Sequence, residues 1–199
     1  MDSKRLKKLK LSKSKTCPFK PKPSLLLHNN IPTPMHGTAP RVVLGENWWN
    51  KTRRACYKKS HHHCQACGCH ASDAKGRQWM ECHEQYEINY TKGRMKYVGC
   101  VSLCHYCHSY LHDGRLIWLL QTGQIHQAKY CAILQHGDSV LAKAGLVRES
   151  KKIRDKKIHE QVIAPWGKWR LQIGRKLYPP LFATSAQYFA AQQNMEKRK

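Results

Sequence analysis

The sequence predicts an α+β fold stapled by metal, and three observations predict it. Cys64-Gln-Ala-Cys67 and Cys104-His-Tyr-Cys107 form two C-x-x-C pairs with 36 residues between them. The intervening residues read as two strands about a turn at Thr91-Lys92-Gly93-Arg94. Segments with apolar residues at helical spacing flank this unit on both sides.

The elements follow in chain order. Residues 1–40 carry Lys4, Arg5, Lys7, Lys8, Lys10, Lys13, Lys15, Lys20 and Lys22, then Pro21, Pro23, Pro32, Pro34 and Pro40. Like charge with proline predicts a disordered basic arm, which would add affinity for a polyanion without sequence choice. The central unit is 41–115. Asn47 is placed to cap a helix over Trp48–Lys59, with Trp48, Trp49, Thr52, Cys56 and Lys59 near one stripe. The two tryptophans are expected to pack in the core rather than stack on bases. His61-His62-His63 reads as a mobile loop before the first cysteine pair. Gln78–Glu81, Tyr86–Tyr90 and Met95–Val101 supply a β-hairpin, and Cys104 opens a short helix that Asp113-Gly114 should stop. Residues 116–147 form a helical extension, with Gly123 and Gly137 as punctuation. Residues 148–199 begin with a charged linker, Arg148–Lys157. A small hairpin from Trp169–Ile173 and Lys176–Tyr178 follows, then a helix near Ser185–Gln193.

Composition bounds the partners. The chain has 199 residues, 36 Lys+Arg against 12 Asp+Glu, and a formal net charge of +24. Such an excess repels itself, and a polyanionic partner is the usual reason to carry it, because each neutralised phosphate releases counterions. Nucleic acid is the expected partner. No apolar run approaches the ~20 residues that span a bilayer. The basic N-terminal stretch is not followed by an apolar segment and a small-residue cleavage site, so it is not a secretory signal. The expectation is a soluble, cytoplasmic protein with no membrane partner. Ten cysteines without an export signal, four of them in C-x-x-C pairs, point to metal in a reducing compartment.

Cys64, Cys67, Cys104 and Cys107 are the expected ligands of a structural Zn²⁺, because four thiolates in tetrahedral array suit a borderline-soft ion without redox chemistry. Gly68 suits the tight turn of a zinc knuckle. The hairpin has the length expected if a treble-clef finger closes on a helix. Cys17, Cys56, Cys69, Cys82, Cys100 and Cys131 lack such pairing and read as core or incidental, with Cys69 close enough to Cys67 to be a rival ligand.

Three histidines form a second constellation. His108 and His112 are four apart and share a helical face. His83 follows the first strand, which in a treble clef packs on that helix. Three imidazoles with open positions left over suit a catalytic rather than a structural ion. His105, between the second pair of cysteines, ranks as a distant fourth ligand.

At this point the chain resembles the HNH (His-Me finger, ββα-metal) endonucleases over about Arg41–Arg115. Glu81-Cys82-His83-Glu84 is similar to the E-x-H-H motif of the colicin-type branch, and His108-Ser-Tyr-Leu-His112 to its H-x3-H. The resemblance implies a one-metal phosphodiesterase that leaves a 5′-phosphate, and of the two nucleic acids DNA is favoured over RNA as its substrate. It implies a catalytic divalent metal (Mg²⁺, Mn²⁺ or Zn²⁺) held by His83, His108 and His112. The family's general base, a histidine, falls on Glu84, and its central asparagine has no clear match near Cys100. Three readings stay open: Glu84 is the base; the register slips, so that His83 is the base and Cys82 a ligand; or hydrolysis is lost and the fold only binds nucleic acid. Arg77, Arg94 and Arg115 are candidates for phosphate clamping, because a guanidinium binds two phosphate oxygens at once.

Overall fold

The central hairpin organises the molecule. β1 (Met80–Asn89) pairs antiparallel with β2 (Arg94–Cys104), placing His83 opposite Val101 and Glu84 opposite Cys100. Past Gln85 the register shifts, since Gln85 faces Gly99 but Tyr86 faces Tyr97, and Val98 is the extra residue of a bulge. Gly93 closes the turn at φ +63°, and a Cβ there would meet the Ala164 Cβ at 2.8 Å. The two strands run longer than the sequence segments implied and leave no break between Glu81 and Tyr86.

The protein is described by a computed structural model covering residues 16–27, 30–150, 153 and 163–196. Among these residues it is a mixed α/β fold with one four-stranded sheet and six α-helices. α1 (Pro40–Val43) and α2 (Gly45–Lys59) precede the hairpin; α3 (His105–Leu111), α4 (Asp113–Gln121) and α5 (Gln127–Ala142) follow it. The C-terminal hairpin, β3 (Arg170–Ile173) and β4 (Lys176–Tyr178), extends the same sheet. β3 lies parallel to β2, with Leu171 beside Met95, and α6 (Ser185–Glu196) ends the described chain.

Two apolar clusters hold these layers. One packs the hairpin's Met80, Val101 and Leu103 under Tyr110 and Leu111 of α3, Leu116 of α4 and Ile133 and Leu141 of α5. α5 approaches α3 closely because Gly137 has no side chain: a Cβ there would lie 2.1 Å from Cδ2 of Tyr110. The Tyr110 hydroxyl then donates to Asp138 Oδ1 at 2.7 Å. The second cluster sits at the turn end of the sheet, where Trp169, fully buried, packs with Met35, Tyr90, Met95 and Leu171. Burying one tryptophan contributes about 4–6 kcal/mol of transfer free energy before entropy is charged against it.

Several expectations change. Leu26 and Met35 are buried and the Lys22 amide donates to the Gln65 carbonyl at 2.8 Å, so residues 16–27 and 30–40 are packed rather than forming a disordered arm. Residues 1–15 lie outside the described residues, as do 151–152 and 154–162 of the linker region. α2 begins at Gly45 with Leu44 in the cap position, and Asn47 falls inside the first turn. Gly114 does not stop a helix; it sits in the first turn of α4, after a bend at His112. Gly137 lies within α5 instead of ending it. Trp48 and Trp49 are half-buried and stacked on each other, with ring centroids 6.4 Å apart, so neither belongs to the core proper. His63 is buried against His70 rather than carried on a mobile loop.

Candidate metal centres

The sulfur site is assembled by local turns. After α2 the chain passes through left-handed backbone at His61 and His62 and enters a knuckle in which the Cys64 amide donates to the Cys69 carbonyl and the Gly68 amide to the Cys64 carbonyl, both at 2.8 Å. Gly68 takes φ +81°, which a larger residue rarely adopts, and a Cβ there would meet Pro21 at 2.8 Å. Cys104 ends β2 and accepts the Cys107 amide at 3.5 Å as the N-cap of α3. The four sulfurs of Cys64, Cys67, Cys104 and Cys107 all lie within 4.8 Å of one another. Tetrahedral zinc with Zn–S of ~2.3 Å needs sulfurs ~3.8 Å apart, and Cys67 Sγ to Cys104 Sγ is 3.8 Å. The donor set fits, and these residues can hold a metal ion such as zinc. Hydrogen bonds from Cys104 and Cys107 hold the Cys67 thiol far below its ordinary value, while Cys104 and Cys64 push Cys107 up. Cys64 is likewise held low and Cys104 held high, so thiolate character is shared between the two cysteines of the first pair.

Two neighbours adjoin this site. Cys69 Sγ is 3.5 Å from Cys67 Sγ, as its position suggested. His136 of α5 sets Nε2 at 3.3 Å from Cys107 Sγ and 3.9 Å from Cys104 Sγ. Nothing in the spacing around His136 marks it, because only the packing of α5 on α3 brings it there.

The histidines also converge. His108 and His112, one turn apart on α3 and at its end, face His83 from β1. His83 Nδ1 lies 3.2 Å from His112 Nε2, and His112 Nε2 lies 3.1 Å from His108 Nε2. An ion bound at ~2.0–2.1 Å by imidazoles in tetrahedral or octahedral array separates its nitrogens by ~2.9–3.4 Å. Glu81 fixes the set from behind. Its carboxylate accepts from Nδ1 of His108 and from Nδ1 of His105, the latter at 2.9 Å. With Nδ1 donating, His108 turns a lone pair on Nε2 toward the other rings, the carboxylate–histidine arrangement found behind metal ligands. Burial pushes the Glu81 carboxyl up, but the bonds from His105 and His108 outweigh it and hold the group well below the usual carboxylate range. His105 is accordingly a partner of Glu81 and not a member of the converging set.

His83 and His112 of this set open on a cavity of about 920 Å³ that is also lined by Arg41, Glu84, Asp113 and Arg115. Glu84 follows His83 on β1 and lines the same cavity, but strand alternation turns it to the face that carries Cys82 and Cys100, and both its oxygens accept from Arg41 Nη1, at 3.0 and 3.2 Å. Arg41, not singled out in the sequence, is therefore a second cavity arginine. Arg115 reaches this cavity, whereas Arg77 pairs with Glu81 at 3.3 Å and lies over Trp79. Arg94 is seven residues along β2 from Val101, the partner of His83, ~23 Å away at strand rise.

A third group carries no signature in the sequence. Cys56, Cys82 and Cys100, which read there as core or incidental, bring their sulfurs within 4.8 Å of one another. Strand pleating sends Cys82 to the α2 side of β1, while Glu81 and His83 turn to α3. Cys82 therefore does not join His108 and His112, which removes the support for the slipped register.

No protein family, curated protein or solved structure matches the chain. No helix among the described residues is long and apolar enough to cross a membrane.

Proposed function

We propose that the chain is an HNH-type endonuclease, a treble clef stapled by structural Zn²⁺ that hydrolyses DNA phosphodiester bonds with one divalent metal. The observation that carries this reading is the convergence of His83, His108 and His112 nitrogens at 3.1 and 3.2 Å on a cavity that two arginines line. A divalent ion held there (Mg²⁺, Mn²⁺ or Zn²⁺) would supply Lewis-acid stabilisation of charge on the phosphate and the leaving oxygen.

The chain's own residues supply the remainder. Glu81 orients His108 and keeps its Nε2 lone pair available. Arg115 and Arg41 take the substrate's phosphate oxygens in bidentate fashion. Arg41 is half-exposed and holds Glu84 in the absence of substrate. A phosphate that draws the guanidinium away leaves the Glu84 carboxylate to accept a proton from the attacking water, so substrate binding and base release are one event. The net charge of +24 favours a polyanionic substrate, and the likeness to colicin-type motifs favours DNA over RNA.

Nicking of a supercoiled plasmid tests the reading. Wild-type protein with Mg²⁺ or Mn²⁺ should nick; His83→Ala should not. Glu84→Gln should cut ~100-fold more slowly or worse, the range a general base contributes, with DNA binding retained. Wild-type cutting by Glu84→Gln would remove Glu84 as the base. The second reading, a zinc-containing nucleic-acid-binding protein that does not cut, draws on the Arg41–Glu84 pair, which occupies the carboxylate. It predicts DNA retention with no nicking under any divalent metal.

A further inference from the structure

We propose that Cys56, Cys82 and Cys100 form a further metal site, taking a thiophilic d10 cation of the zinc class and clipping α2 to the back of the hairpin. The inference does not depend on nuclease activity. In a C-x-x-C knuckle, sequence neighbours bring two sulfurs together whatever the rest of the chain does. Here the three sulfurs come from α2, β1 and β2 and still lie within 4.8 Å of one another. Cys82 and Cys100 share one face of the hairpin as diagonal neighbours, since Cys82 faces Ser102 and Cys100 faces Glu84. Cys56 meets them from the last turn of α2.

The donor chemistry is selective. Three thiolates are soft ligands that favour zinc or copper(I) over magnesium or calcium. The sulfurs stand no more than about 1 Å beyond the ~3.8 Å spacing of tetrahedral zinc, and a fourth position is left for water or another donor. Lys59 acts electrostatically on both Cys56 and Cys100 and offsets thiolate charge. Cys56 and Cys82 are buried, whereas Cys100 is only partly buried. The location gives the site a consequence. Cys82 lies between Glu81 and His83 in sequence but on the opposite face of the strand, so an ion there would hold β1 from one side while the histidines work on the other.

Cadmium loading of the full chain tests the proposal. Protein kept reduced is titrated with Cd²⁺, following the thiolate-to-metal charge-transfer band, total bound metal and the cadmium NMR spectrum. Wild type should bind two sulfur-ligated ions with separate resonances, one in a four-sulfur and one in a three-sulfur environment. Cys100→Ser should lose the second resonance and the corresponding share of the band while the first persists. The His108→Ala/His112→Ala variant should keep both. A single sulfur-ligated ion in wild type overturns the site. So does a disulfide joining two of the three cysteines in protein purified under reducing conditions. The wild-type spectrum decides even if Cys100→Ser fails to fold.

Discussion

Glu81 and Gly137 show how far one residue reaches in this fold. The Glu81 carboxylate accepts from two imidazoles at once, with His105 on one oxygen and His108 on the other. Glutamine at this position keeps one acceptor oxygen and presents an NH₂ group to the second ring, so one histidine loses its orientation. Loss of a partner behind a metal ligand typically weakens affinity ~10–100-fold. Glu81→Gln should therefore bind Mn²⁺ or Co²⁺ at the histidine site weaker by that factor in a calorimetric titration, with metal content at the four-cysteine site unchanged. Gly137 acts through space rather than charge. A Cβ there would fall 2.1 Å from the Tyr110 ring, so Gly137→Ala must push α5 off α3 or turn Tyr110 away from Asp138. Overpacking of this kind costs ~1–3 kcal/mol, and thermal denaturation should show a Tm lower by ~2–4 °C for each kcal/mol lost. An unchanged Tm would mean that the α3–α5 contact yields freely.

The elements that carry metal ligands divide by how local their geometry is. Cys64-x-x-Cys67, Cys104-x-x-Cys107 and His108-x3-His112 declare themselves by spacing, and the hairpin by its turn residues, so the four-sulfur group and two of the three histidines are legible in the sequence alone. His83 requires a further step, that β1 packs on α3. The group of Cys56, Cys82 and Cys100 is not legible, because strand register and the docking of α2 alone bring those sulfurs together. His136 escapes for the same reason, as does the parallel pairing of β3 with β2, which joins residues more than seventy positions apart. Gly137 reads as punctuation because a glycine in a helix usually weakens it, whereas here the absent side chain admits an aromatic ring. The local character of the four-sulfur knuckle has a thermodynamic corollary. Cys64 and Cys67 precede the hairpin and Cys104 and Cys107 join it to α3, so an ion held by the four would tie the start of the unit to its end. Metal binding at such a site contributes free energy to folding. Removal of the sulfur-bound metal by a strong chelator should abolish near-ultraviolet circular dichroism from the tyrosines packed on α3 and lower the Tm, and zinc add-back should restore both. Retention of the signal in metal-free protein would show that the apolar cluster alone folds the unit.

At the scale of the whole molecule, charge dominates. A net +24 on 199 residues means that folding brings like charges together, and a polyanion or salt relieves the repulsion. DNA binding should then weaken steeply with salt, because each phosphate neutralised contributes ~0.9 to the slope of log K against log salt on duplex DNA. The cations contributing to that slope fall into two sets with different work. Arg41 and Arg115 line the cavity beside the histidines, where under the proposed function they would act on the phosphate at the reacting centre. Lys4, Arg5, Lys7, Lys8, Lys10, Lys13 and Lys15, ahead of the first described residue, can engage backbone phosphates elsewhere along the duplex. Deleting residues 1–15 should reduce the magnitude of the slope by ~0.9 for each arm cation that meets a phosphate, leaving nicking at saturating DNA unaltered. Arg115→Ala should do the reverse, changing the slope by about one unit at most while lowering the rate at saturation. Equal slopes for full-length and shortened chains would place the binding charge on the folded body and leave the arm without a part in DNA contact.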